Sequence, residues 1–239
     1  MKLRKNTLIK AMTNLALCAL VASVGIVCLS PIDSTVSKEG EENIYRCASE
    51  YSDGVSLMFN VYWGTEQVYQ ILEILKENNA KATFFIGGAW ADDNVECLKQ
   101  IALEGHEIGN HGYFHKDHAK LSIVENEKEI KTCNQFIFLS IGKTPTLFAP
   151  PSGSCSKEML SVCNKLNMTT ILWSRDTIDW RDKDSSLIYK RATKDIKGGE
   201  FVLMHPMQET VNALKDILNY YNACNLRAVT VTENLQAGG

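Results

Sequence analysis

No run of basic residues follows the first ten positions of this 239-residue chain, and its formal charge is −3 with a pI near 6.0. A chain without a positive field offers little to a nucleic-acid backbone, so no nucleic-acid partner is expected. No G-x-G-x-x-G or G-x-x-x-x-G-K-[ST] pattern follows the first strand-like run, which argues against a nucleotide-binding sheet. There is no C-x-x-C pair, no internal repeat and no low-complexity tract. Six cysteines lie beyond residue 30 (Cys47, Cys97, Cys133, Cys155, Cys163 and Cys224), an even number that permits disulfides in an exported chain. A core of this size does not need them, and free, mostly buried thiols are expected.

Also lacking is an apolar run of the roughly 20 residues that a membrane span requires. What the amino terminus has instead is Lys2, Arg4, Lys5 and Lys10 ahead of "LALCALVASVGIVCL", Leu15 to Leu29. Residues 1–30 therefore read as a signal peptide or an N-terminal membrane anchor. No clear A-x-A precedes Ser30, and neither Cys18 nor Cys28 sits where a lipoprotein cut would place it. Either reading makes the remainder extracytoplasmic, secreted or membrane-anchored. Residues 31–54 are polar, acidic and without period, a linker expected to bury little. The folded domain is expected over 55–235, a single core and a monomer.

From Val55 onward the hydrophobic period alternates. "VSLMFNV" precedes "TEQVYQILEILKENN", in which Val68, Ile71, Leu72 and Leu75 share one helical face. "ATFFIG", "HEIGN", "TLFAP", "TTILWS" and "EFVLMH" follow, each succeeded by a helical stretch, and "RAVTVT" is read as a closing seventh strand. Strands alternating with helices imply an α/β fold with parallel crossovers, either a barrel or an open doubly wound sheet. Polar residues gather at the carboxyl ends of these strands: Asn60, His111, Pro150, Asp176 and His205. In a parallel barrel those ends share one face, where active sites form.

The segment "NHGYFHKDH" holds His111, His115 and His118. The i, i+4 spacing of His111 and His115 would place both imidazoles on one side of a helical turn, able to chelate a divalent ion. Such a pair is equally often a hydrogen-bonded surface pair, and His106 and His118 read as plain surface histidines.

Taken in order, "KATFFIGG", "GHEIGNHGYFH", "LFAPPSG", "WSRDTIDW" and "VLMH" resemble the motifs of the polysaccharide deacetylase (NodB homology, carbohydrate esterase family 4) proteins over about Val55 to Thr232. The resemblance implies a distorted (β/α)7 barrel and a metal-dependent hydrolase that removes N-acetyl groups from a chitin-like or peptidoglycan-like glycan. It implies a divalent transition metal, zinc foremost, held by an Asp and two His. His111 and His115 match the family's metal histidines, His205 its general acid, and Leu203 the residue lining the acetyl pocket. In that chemistry a metal acidifies water and polarises the acetamide, a carboxylate takes a proton, and a histidine returns one to the departing amine.

The departures are specific. Where the family has T-F-D-D, with a base Asp and a metal-binding Asp, this chain has Phe59, Asn60 and Val61; where it has Arg, this chain has Ala149. An amide is no base and valine no ligand. Asp176 matches the acid that normally pairs with the missing Arg, and Arg175 beside it is a candidate substitute. Glu66, at the start of the first helix, is the first candidate for replacement base or ligand, although an acid there also simply suits a helix N-terminus. Asp117 and Asp179 are further ligand candidates, and a weakly bound metal is expected. Trp63, Tyr113, Pro150 and Trp180 are candidate sugar contacts, since aromatic faces suit sugar rings; Trp173 is assigned to barrel packing. Two functions follow: a hydrolase with weakened or altered activity, or an inactive deacetylase-like protein that binds carbohydrate.

Overall fold

The computed structural model describes residues 43–237, and the proposed signal or anchor over 1–30 lies outside them. In chain order the elements are β1 (Ile44–Tyr45), β2 (Gly54–Val61), α1 (Thr65–Glu77), β3 (Thr83–Ile86), α2 (Gly88–Asp93), α3 (Val95–Leu103) and β4 (Glu107–Asn110). Next come α4 (Ile123–Ile141), β5 (Leu147–Phe148), α5 (Lys157–Lys165), β6 (Thr169–Ile171), β7 (Arg175–Asp176), α6 (Asp179–Asp182) and α7 (Ser185–Thr193). The chain closes with β8 (Phe201–Met204), α8 (Gln208–Ala223), β9 (Arg227–Ala228) and α9 (Val231–Gln236). The strands pair in parallel in the order β1-β6-β5-β4-β3-β2-β8-β7, with β9 also on β2. This is the curled sheet of a distorted (β/α)7 barrel.

Alternation along β2 sorts its side chains into two layers. Leu57, Phe59 and Val61 enter the apolar layer shared with Val68, Ile71, Leu72 and Leu75 of α1. Met58 joins Phe85, Leu147, Ala149, Ile171 and Phe201 inside the curl. All eight β2 residues are buried, as expected of a strand covered on both faces. The same alternation turns Asn60 towards the interior of the curl, just above Met58.

The tether expected over 31–54 gives way to structure earlier than the sequence suggests. Ile44 and Tyr45 pair with Thr170 and Ile171, and Ala48 N–H donates to Gly199 O at 2.7 Å beside an antiparallel bridge from Cys47 to Glu200. Ser52 is buried and its hydroxyl donates to Asn234 at 2.6 Å. A Cβ on Gly198 would lie 1.7 Å from the Ser52 carbonyl oxygen, so only glycine admits this approach. These contacts join the two ends of the open sheet at its base. At the other terminus "RAVTVT" is a strand only at Arg227–Ala228; Thr230 caps α9 by accepting from Glu233 N–H. Cys97, Cys133 and Cys163 are buried thiols, and burial pushes each up, to about 11, 12 and 11.

Candidate functional site

A cavity of about 370 Å³ opens at the carboxyl ends of the strands. Asn60 from β2, His111 and His115 after β4, and Ser152 after β5 form part of its wall. Trp173, Asp176, Leu203 and His205 from β6 through the end of β8 complete it, with Trp63 and Trp180 half-exposed at its rim.

His111 and His115 converge, but not on a helix. Residues 111–115 form a loop in which Gly112 and His115 have φ of 76° and 52°, and this left-handed path replaces the expected helical turn. The ring centroids are 5.1 Å apart. His111 Nδ1 lies 2.7 Å from the Ala149 carbonyl oxygen, which must accept its proton and leaves Nε2 unprotonated. Burial, reinforced by His115, pushes the His111 pKa down to about 3, and burial also lowers that of His115. Both rings are neutral at pH 7, the state a metal requires.

His118 and His106 are not surface residues. His118 is fully buried, its Nδ1 2.6 Å from Asn126 Oδ1, and His106 Nδ1 accepts from Ala82 N–H at 3.3 Å. Burial drives His106 down to about 4. A histidine whose folded pKa lies below its ordinary 6.5 stabilises the fold fully above that value and loses this contribution as pH falls towards the folded one. The melting temperature is therefore expected to fall between pH 7 and pH ~4, and the fall should be smaller in His106→Leu. Equal slopes in wild type and variant would show that His106 does not carry it.

His205 is held from behind by Asp179. The Asp179 carboxylate accepts from His205 N–H at 2.6 Å, the His205 Nδ1 side at 2.8 Å, Thr210 Oγ1 at 2.7 Å and Trp180 N–H at 2.8 Å. This fixes the proton on Nδ1 and leaves Nε2 for the cavity. Trp63 stacks on the ring, centroids 5.7 Å apart and planes 3° apart. The sequence treats Asp179 as a possible metal ligand; the fold uses it to orient His205 instead.

Asn60 Oδ1 is buried without a hydrogen-bond partner among the described residues, while Val61 is sealed in the apolar layer. Asp176 lines the cavity and its Oδ1 accepts from Ile178 N–H at 2.8 Å. Arg175 turns away to Glu200 and the carbonyls of Lys194 and Asp195, so it does not replace the missing Arg. Glu66 is exposed on the first turn of α1, outside the cavity wall. Asp117 pairs with Lys120 and Ser154. Tyr113 packs on Gly88 and Pro150 is buried, and neither reaches the wall; Trp173 packs against the inner cluster as expected and also forms part of the wall. No third His, Cys, Asp or Glu joins the histidine pair in a metal-holding group among the described residues.

The family model for polysaccharide deacetylase matches residues 49–171. The uncharacterized protein YlxY of Bacillus subtilis is 38% identical over 75% of this chain, which spans only 56% of that protein's length. A peptidoglycan-N-acetylglucosamine deacetylase of Bacillus cereus is 30% identical over 82% of this chain and 70% of its own. The crystal structure of a CE4 family pseudoenzyme from Bacillus anthracis superimposes with a TM-score of 0.78 at 34% identity, covering 80% of this chain and 68% of that one. A mutant of that pseudoenzyme, described as having restored enzymatic activity, matches with the same TM-score. With its curled parallel sheet and its strand-end histidines, the chain belongs to the polysaccharide deacetylase family.

Proposed function

We propose that the cavity receives the N-acetyl group of a cell-wall glycan, peptidoglycan or chitin-like, and that the protein is a deacetylase-type hydrolase of weakened activity. The observation carrying this is convergence: three imidazoles from two distant segments, with His205 oriented by a buried carboxylate, surround one cavity with aromatic rings at its rim. A purely structural cavity would not need that arrangement.

His111 and His115 fit a divalent transition metal such as zinc in part, since the Ala149 carbonyl fixes the tautomer that leaves His111 Nε2 free. When bound there, the metal supplies Lewis acidity to an acetamide carbonyl. His205 Nε2 is placed to carry a proton to the departing amine, with Asp179 stabilising the charged ring. Trp63 stacks on that ring and holds its plane. The amide of Asn60 cannot take a proton from water, and this is why turnover is weakened. A second reading, binding without turnover, is favoured by Asn60 and by the burial of Val61. The glycan makes the site of action extracytoplasmic, the protein secreted or held at the membrane through residues 1–30, as a monomer. Among the described residues no helix is long and apolar enough to cross a membrane.

Acetate release from a short N-acetylglucosamine oligomer, with zinc or cobalt added, tests the proposal: slow release supports the hydrolase, and binding without release supports the second reading. Metal titration by calorimetry tests the ligands. His111→Ala should weaken cobalt or zinc binding by more than the roughly 10–100-fold seen for residues behind the ligands. His118→Ala should leave affinity near wild type and lower the melting temperature instead; equal affinities in the two variants would remove His111 from the site.

A further inference from the structure

Helix α4 buries two polar side chains, Asn126 and Glu129, on the face where a surface helix ordinarily buries apolar ones. With Ile130 and Asn134 they recur at i, i+3, i+4 and i+8, so all four lie on one side of the helix. That side meets the histidine loop. Asn126 Oδ1 lies 2.6 Å from His118 Nδ1, while Asn110 Nδ2 donates to Ile130 O at 2.9 Å and to Asn134 Oδ1 at 2.7 Å. Between these two anchors stands Glu129, 4% exposed: its Oε2 accepts Tyr113 N–H at 3.1 Å and Phe114 N–H at 2.8 Å, and its Oε1 accepts from Lys116 Nζ at 3.1 Å.

Tyr113 and Phe114 stand between His111 and His115, in a loop whose positive φ at Gly112 and His115 leaves their amides no helical acceptor. The carbonyls of the loop are held from elsewhere: Gly88 N–H and Ala89 N–H, at the start of α2, donate to Gly112 O and Tyr113 O at 2.9 Å each. The two amides have only Glu129 among the described residues. One oxygen that collects two successive N–H groups fixes the direction of both peptide planes, and hence the point from which His115 leaves the chain. Resting on the metal-site reading above, we infer that Glu129 is the positioning residue of that site: by accepting the Tyr113 and Phe114 amides, its carboxylate sets the His115 imidazole against that of His111. It acts through the loop and not on the metal. Residues behind the ligands tune metal affinity by such orientation. What matters is where the oxygen sits, not its charge.

The test separates position from charge. Glu129→Asp keeps the charge and draws the oxygens back by one methylene; Glu129→Gln drops the charge and keeps a carbonyl oxygen at full reach. The full chain and each variant are titrated with cobalt(II) by calorimetry, and the visible absorption of the bound ion reports the geometry of its ligands. Glu129→Asp should bind cobalt roughly 10–100-fold more weakly than wild type, with an altered spectrum, and Glu129→Gln should stay close to wild type in both. Ile137→Val, a core substitution on the same helix, should lower the melting temperature with affinity and spectrum unchanged, so that lost stability is not read as lost geometry. Circular dichroism confirms folding of each variant. In the wild type, zinc should slow hydrogen exchange at the Tyr113 and Phe114 amides, since coupling between two sites is reciprocal; exchange there untouched by bound zinc overturns the inference without any variant. Glu129→Asp binding cobalt no more weakly than Glu129→Gln also overturns it, and leaves the histidine pair intact. A wild type that binds no cobalt overturns the metal-site reading and this inference with it.

Discussion

Aspartates at positions 60 and 61 together should turn the cleft into an acetate-releasing site. Asn60→Asp places a carboxylate on the cavity wall, where a general base is worth roughly 10²–10⁴-fold in rate. Val61→Asp places a second carboxylate at the strand end, in a position that is now fully buried and apolar. An unpaired buried carboxylate is costly, so the double variant should melt lower than wild type in the absence of metal. Added zinc should recover much of that loss, because a ligand that binds only the folded state stabilises it by mass action. The expected result is acetate release from an N-acetylglucosamine oligomer at least about 10²-fold faster than wild type, dependent on zinc. A folded, zinc-binding double variant that releases no acetate would sink the hydrolase reading.

Removing the Asp179 carboxylate should be the most damaging single change near the cavity. In Asp179→Ala the N–H groups of His205 and Trp180, the Nδ1–H of His205 and the hydroxyl of Thr210 all lose their acceptor at a fully buried position. Stranding buried donors costs about 1–3 kcal/mol each when no water replaces the partner, and the losses are not additive. A net loss of about 3–5 kcal/mol corresponds to a melting temperature lower by roughly 6–20 °C for a domain of this size. Asp179→Asn keeps two acceptor lone pairs and should cost clearly less. Nuclear magnetic resonance of the imidazole should show His205 losing its fixed tautomer in both variants. A melting temperature within a degree or two of wild type for Asp179→Ala would mean that this carboxylate does not hold the ring.

The sheet and the strand-end histidines were legible because both follow from short-range patterns. The apolar run of β2, the helical face of α1 and the strand–helix succession after them set the fold class, and His111 and His205 each terminate a strand-like run. Elements of two residues, such as β1 and β7, are too short for any period to register. Glu66 falls outside the cavity because sequence adjacency to the strand end is not spatial adjacency: past Gly64, with φ of 76°, Glu66 is exposed while Val68 on the same turn is buried. His118 looked like a surface residue because its partner Asn126 belongs to α4, the other side of a loop. The role of Asp179 depends on Thr210, thirty-one positions away, and no local signal carries that.

The seam formed by residues 43–53 determines where the molecule can be cut. A fragment begun at Val55 would lose the strand that covers β6, together with the Cys47 bridge and the Ser52 contact on Gly198. The bared edge of β6 would then present unpaired backbone amides and carbonyls to any passing chain, a template for edge-to-edge aggregation. Truncations meant to stay dispersed must begin ahead of Ile44.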